Sequence, residues 1–199
     1  MCETPNVVLY IHGFASSGAG HKAELLRTHY AGRGIPFLAP SLSYIPELAV
    51  ATLEETITAF GAKRFRLIGA SLGGFYAAYL AERFGIPAVL INPAMQLQEA
   101  HARLIGLQRH AYDGSLFECS ARHFEMLERY AARMGSLAQS RIMLLLQAGD
   151  EVVDYRQTLE RFAGLPPSQI ALESGGSHLF EGLESRLDKI NAFLGLDRR

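Results

Sequence analysis

The chain has 199 residues, 49% of them hydrophobic and 20% charged, with 19 Lys and Arg against 20 Asp and Glu. That size and balance fit a single globular domain, residues 1–199, able to bury a core without disulfides or metals. A formal net charge of −1 offers no basic footprint for nucleic acid, and runs such as Ile142–Leu146 are too short to cross a bilayer.

Val7–Ile11 is a continuous β-prone apolar run that stops at His12–Gly13, as a strand buried on both faces does. A helix is expected over about residues 22–32, ended by Gly32-Arg-Gly34, then a short strand over Pro36–Ala39 and a helix from Glu47 to Phe60. The third strand, Phe65–Gly69, runs straight into Ala70-Ser71-Leu72-Gly73-Gly74, after which Phe75–Phe84 reads as a buried helix. Ile86–Ile91 and Arg141–Gln147 are strands four and five, Ser168–Glu173 a weaker sixth, and a closing helix is expected over about residues 179–194.

This alternation calls for an α/β fold: a mostly parallel sheet of about six strands covered by helices on both sides. About 45 residues separate strands four and five, roughly three times an ordinary crossover. Leu97, Ala100, Leu104 and Leu107 keep helical spacing, as do Phe124, Leu127, Ala131 and Met134. Two amphipathic helices joined by a Tyr112–Ser115 turn are therefore expected to form a helical cap over about residues 96–140. Their apolar stripes would line an acyl pocket or simply pack on the domain. Five Lys and Arg against five Asp and Glu in the insert give no sign of a strongly charged substrate.

Gly69-Ala-Ser71-Leu-Gly73 fits G-x-S-x-G between a buried strand and a buried helix. Turning from strand to helix within two residues strains the central residue and projects its side chain from the sheet edge, and the flanking positions have no room for Cβ atoms. Ser71 is the candidate nucleophile, and the Leu72 N–H, at the positive end of the next helix, is a candidate oxyanion donor. A serine hydroxyl needs a base, and the base a carboxylate; on this architecture they follow in the order Ser, Asp or Glu, His. Of the seven histidines only His178, in Gly175-Gly-Ser-His178, follows strand five. Asp150 comes first after that strand; Glu151 and Asp154 are its rivals, although Asp154 also suits capping a helix near Tyr155. The Phe14 N–H, in the loop after strand one, is the second candidate oxyanion donor, and His12 there holds the loop rather than serving as a base.

These segments resemble a known family. Tyr10–Gly18, Gly69–Tyr76, Gln147–Tyr155 and Gly175–His178 look like the YqiA/YcfP group of small bacterial α/β-hydrolases. The resemblance implies carboxylic-ester hydrolysis by Ser71, Asp150 and His178 acting on a small-molecule ester, with no metal or organic cofactor. It also implies a bacterial cytoplasmic setting. That setting agrees with only two cysteines, Cys2 and Cys119, and with a start, Met1–Pro5, lacking the features of a secretory signal. An acyl-thioesterase or acyltransferase on the same residues is the second expectation, and a non-catalytic binding protein the third.

Overall fold

The computed structural model describes residues 6–97, 103–135 and 141–197. Six strands, β1 (Val7–Ile11), β2 (Phe37–Leu38), β3 (Phe65–Ala70), β4 (Ala88–Ile91), β7 (Ile142–Gln147) and β8 (Ile170–Glu173), form one sheet. Their order is β2-β1-β3-β4-β7-β8 and every pair is parallel. Strands β1, β4 and β7 are buried at every position, which is why their sequences are unbroken apolar runs rather than alternating ones.

Side chains of one strand divide between two cores. Leu9, Ile11, Leu67 and Leu144 point to the face covered by α2 (Pro46–Phe60) and α3 (Leu72–Phe84). Val8, Tyr10, Ile68 and Leu145 point to the face covered by α1 (His21–Gly32) and α6 (Leu187–Leu194). The strand order reverses direction between β1 and β3, so the loops leaving their carboxyl ends diverge and open a crevice, the usual ligand site of such sheets. Both the Phe14 loop and Ser71 stand there.

The closing helix is shorter than its sequence suggests. Residues 179–182 belong to a loop, Leu183–Arg186 make a 3-10 turn and α6 begins only at Leu187. Gly182 adopts φ 70° just before the turn, and Phe180 is buried among the α6 residues, pinning the loop to the sheet.

The insert between β4 and β7 departs most from expectation. Its first half is not an amphipathic helix through Leu107: Leu97, Arg103 and Leu104 are helical, but the chain then forms an antiparallel hairpin, β5 (Gly106–Arg109) and β6 (Leu116–Cys119). Ala100 lies outside the described residues. The turn at Tyr112–Ser115 exists, yet it joins two strands: Asp113 Oδ1 accepts from Ser115 N–H at 2.9 Å and Gly114 adopts φ 72°. The physical reason is visible in β6, where Phe117 and Cys119 turn inward while Leu116 and Glu118 face out, a period of two that outweighs the 3.6 spacing ending at Leu107. Leu107 itself is exposed. The second expected helix is present as α4 (Ala121–Ala131), with Phe124 and Leu127 buried. Its start is fixed by the Ser120 N–H donating to His123 Nδ1 at 3.0 Å. The cap is thus a hairpin and a helix.

Candidate functional site

Ser71 occupies the turn between β3 and α3 with φ 53° and ψ −124°, a strained conformation for a residue with a side chain. The crowding that imposes it is measurable at Gly73, where a Cβ would sit 2.0 Å from the Ile11 carbonyl oxygen and 2.5 Å from that of His12. The turn therefore packs backbone to backbone against the end of β1. It is tied down on its other side, because the Ser71 N–H donates to the Ile91 carbonyl at 3.0 Å and its carbonyl accepts from Ala94 at 3.0 Å.

We expect Gly73→Ala to push the start of α3 away from the end of β1, costing about 2 kcal/mol or more. A thermal melt should show Tm lowered by ~5 °C or more. An unchanged melting curve would mean the turn can relax and that its tightness is not structural.

The structure brings Ser71, His178 and Asp150 into one chain of hydrogen bonds. Ser71 Oγ lies 2.8 Å from His178 Nε2, and His178 Nδ1 lies 2.9 Å from Asp150 Oδ2 and 3.0 Å from Oδ1. A carboxylate only accepts, so Nδ1 carries the proton and the Nε2 lone pair faces the serine hydroxyl. The Asp150 side chain is 2% exposed. Burial pushes its carboxyl upward, but hydrogen bonds from His178 and from the Val153 and Val152 N–H groups, both at 2.8 Å, outweigh this and hold it below the usual carboxylate range.

The two rivals do other work. Asp154 accepts from the Arg156 N–H at 2.9 Å and caps α5 (Tyr155–Arg161). Glu151 Oε2 accepts from the His178 backbone N–H at 3.0 Å, steadying the histidine loop without touching its ring.

Two residues that sequence reasoning missed hold that loop. Asn92 donates from Nδ2 to the Ser177 carbonyl at 3.0 Å while its Oδ1 accepts from the Gln147 N–H at 3.0 Å. Gln147 Oε1 accepts from the Ser177 and Glu181 N–H groups at 3.1 and 2.9 Å, and its Nε2 donates to the Glu181 carbonyl at 2.8 Å. Both are buried amides at the carboxyl ends of otherwise apolar strands. That position was the available signal: a polar residue there needs partners, and loop backbone supplies them.

His12 braces the loop after β1. Its Nε2 accepts from the Leu42 N–H at 2.9 Å and its Nδ1 donates to the Gly13 carbonyl at 2.8 Å, the tautomer this pair requires. Burial lowers its pKa, in keeping with a neutral ring. Gly13 lies against Ser71, with 3.1 Å between its missing Cβ and the serine Cβ. Neither the Phe14 nor the Leu72 N–H has a protein acceptor among the described residues. The cap supports this loop directly: Phe117 of the hairpin meets the Phe14 ring edge-on at 5.5 Å, and the Ala111 N–H donates to the Ala15 carbonyl at 2.8 Å.

A cavity of about 220 Å³ opens from Ser71 and His178 beneath the cap, walled by Leu97, Leu104, Phe124, Leu127 and Val153. The insert's apolar stripes thus pack on the domain and line a cavity. Cys119 is buried and borders it; Cys2 lies outside the described residues. No group of His, Cys, Asp and Glu among the described residues is placed to hold a metal ion, and no helix among them is long and apolar enough to cross a membrane.

A parallel sheet wrapped by helices, with a serine on a strand-to-helix turn at its switch point, is the α/β-hydrolase fold. Solved structures of the same shape include the alpha/beta hydrolase domain-containing protein 10 from mouse, with TM-score 0.74 and 15% identity over 98% of this chain and 91% of that one. The monoacylglycerol lipase of Paleococcus ferrophilus matches with TM-score 0.71 and 17% identity over 98% and 96%. Est1E of Butyrivibrio proteoclasticus, solved with ferulic acid bound, matches with TM-score 0.70 and 12% identity over 96% and 89%.

The chain belongs to the uncharacterised protein family UPF0227, whose family model matches residues 7–195. UPF0227 proteins of Yersinia pseudotuberculosis and Yersinia pestis are 21% identical to it over 190 residues, covering 94% of this chain and 98% of each relative. The resemblance to the YqiA/YcfP group is borne out.

Proposed function

We propose that the protein is a serine hydrolase that cleaves carboxylic esters of small molecules through an acyl-enzyme on Ser71. The observation that carries this reading is the hydrogen-bonded chain Ser71–His178–Asp150 at the mouth of an apolar cavity. Ser71 Oγ attacks the ester carbonyl as His178 Nε2 takes its proton, and Asp150 stabilises the resulting imidazolium. Charge developing on the carbonyl oxygen is met by the Phe14 and Leu72 N–H groups, each worth roughly 3 kcal/mol in such sites. His178 then returns the proton to the departing alcohol, and water repeats the sequence on the acyl-enzyme, releasing the acid. None of these steps requires a cofactor, and a cytoplasmic setting suits a chain that keeps Cys119 as a buried free thiol.

The cavity's 220 Å³ is below the ~300–1,000 Å³ of sites for drug-sized ligands, which supports short acyl groups. The test is a series of 4-nitrophenyl esters from acetate to decanoate beside matching acyl-coenzyme A thioesters. We expect kcat/KM to peak at about four carbons, falling at least tenfold by decanoate, with esters turned over faster than thioesters. Preference for thioesters at every length would favour the thioesterase reading, and turnover of neither would favour a binding role.

A further inference from the structure

A second cavity, of about 350 Å³, meets Ser71 and His178 from the opposite side, beside the start of α1. Phe14, Ser71 and His178 border both cavities, so both open onto the same serine hydroxyl. The two differ in their polar groups. The cap cavity is walled mainly by aliphatic and aromatic groups, with Arg103 and His123 at its margin, whereas the second sets Lys22, His21, Ser16, Ser17 and Tyr10 around Ser71, with no carboxylate in its wall.

Several of these groups lack protein partners among the described residues. Lys22 is half-buried and makes no ion pair or hydrogen bond there, and burial lowers its pKa, the condition in which an ammonium gains most from an incoming anion. Tyr10 is 4% exposed, yet its hydroxyl bonds to no described group. Ser17 is 3% exposed; its Oγ accepts from the Ala19 N–H at 3.2 Å while its own proton has no described acceptor. Helix α1 starts at His21 behind Gly20, which has no side chain to cap it, so the N–H groups of His21, Lys22 and Ala23 are also without an acceptor among the described residues at the positive end of the helix. A cation, two buried hydroxyl donors and a helix N-terminus around one cavity ask for a negatively charged occupant.

We propose that this cavity is the subsite for an anionic group, a carboxylate or a phosphate, carried on the alcohol half of the ester. The assignment rests on the serine-hydrolase reading above. The acyl half belongs in the apolar cavity because deacylation needs water beside His178 once the alcohol has left, and the polar cavity supplies it. In that step the Ser71 Oγ–carbonyl bond forms, the bond from carbonyl carbon to alcohol oxygen breaks, and the serine proton reaches that oxygen through His178. The freed alcohol leaves with its anion.

The test compares O-butyrylglycolate and 2-(butyryloxy)ethyl phosphate with the neutral O-butyrylglycolamide, in the wild type and in Lys22→Gln. One anionic ester should exceed the neutral one by about tenfold or more in kcat/KM, through KM, as expected for a charge-assisted contact. The favoured anion identifies the group as carboxylate or phosphate. Lys22→Gln should reduce the advantage of the anionic ester over the neutral one to within twofold. Equal rates for charged and neutral esters, or a preference that survives Lys22→Gln, would overturn the subsite while leaving ester hydrolysis intact. A readout without turnover separates the two ideas: glycolate or inorganic phosphate should bind Ser71→Ala and not Ser71→Ala/Lys22→Gln. Failure of both anions to bind Ser71→Ala overturns the subsite whatever the fate of the ester reading.

Discussion

Ser71→Ala is expected to lower kcat for ester hydrolysis by a factor on the order of 10⁶, leaving a residual rate from binding and oxyanion donors alone. The magnitude follows from the loss of the covalent route: without Oγ, His178 has no hydroxyl to deprotonate and no acyl-enzyme can form. Folding should be nearly untouched, because among the described residues the Ser71 side chain bonds only to His178 while the turn is held by its backbone contacts to Ile91 and Ala94. A melt of the variant beside the wild type checks this. A kcat within tenfold of wild type would remove Ser71 from the chemistry.

Asp150→Asn should cost about 10⁴-fold in kcat, because an amide can donate to His178 Nδ1 and so favour the tautomer that turns a proton, not a lone pair, toward Ser71. Asp154→Ala provides the internal contrast. It removes the α5 cap, which is worth about 1 kcal/mol of stability. The Asp154 carboxylate bonds to the Arg156 N–H and not to the His178 ring, so kcat should stay within a few-fold. Rates at saturating substrate for the two variants decide between the carboxylates. A larger kcat loss in Asp154→Ala than in Asp150→Asn would reverse their roles.

The centre of the sheet was legible in the sequence because its inner strands are buried on both faces, so Val7–Ile11 and Ile142–Gln147 stand out as apolar runs ended by polar turns. The turn at Ser71 was legible because backbone crowding leaves no choice but glycine at Gly73. Asp150 was separable from Asp154 only through geometry: both follow β7, and which one reaches the histidine ring depends on how the loop folds over Val152 and Val153.

The hairpin at Gly106–Cys119 was misread for a physical reason. Leu116 is apolar yet exposed, which hides the alternation of β6 in the sequence, and Leu104 and Leu107 happen to repeat at helical spacing. The misreading matters for function, since Phe117 and Ala111 of that hairpin support the Phe14 loop. Asn92 and Gln147 escaped notice because single polar residues at strand ends carry no motif, and their partners, mostly backbone groups, lie some 26 to 85 positions away.

The central claim, that Ser71 is the activated nucleophile of this site, is tested most directly by peptide mass spectrometry after treatment of the intact protein with a fluorophosphonate. A single phosphonyl adduct should form on Ser71, and none should form anywhere in Ser71→Ala or in wild type denatured before treatment. An adduct on another residue, or no adduct from a preparation that hydrolyses esters, would contradict it.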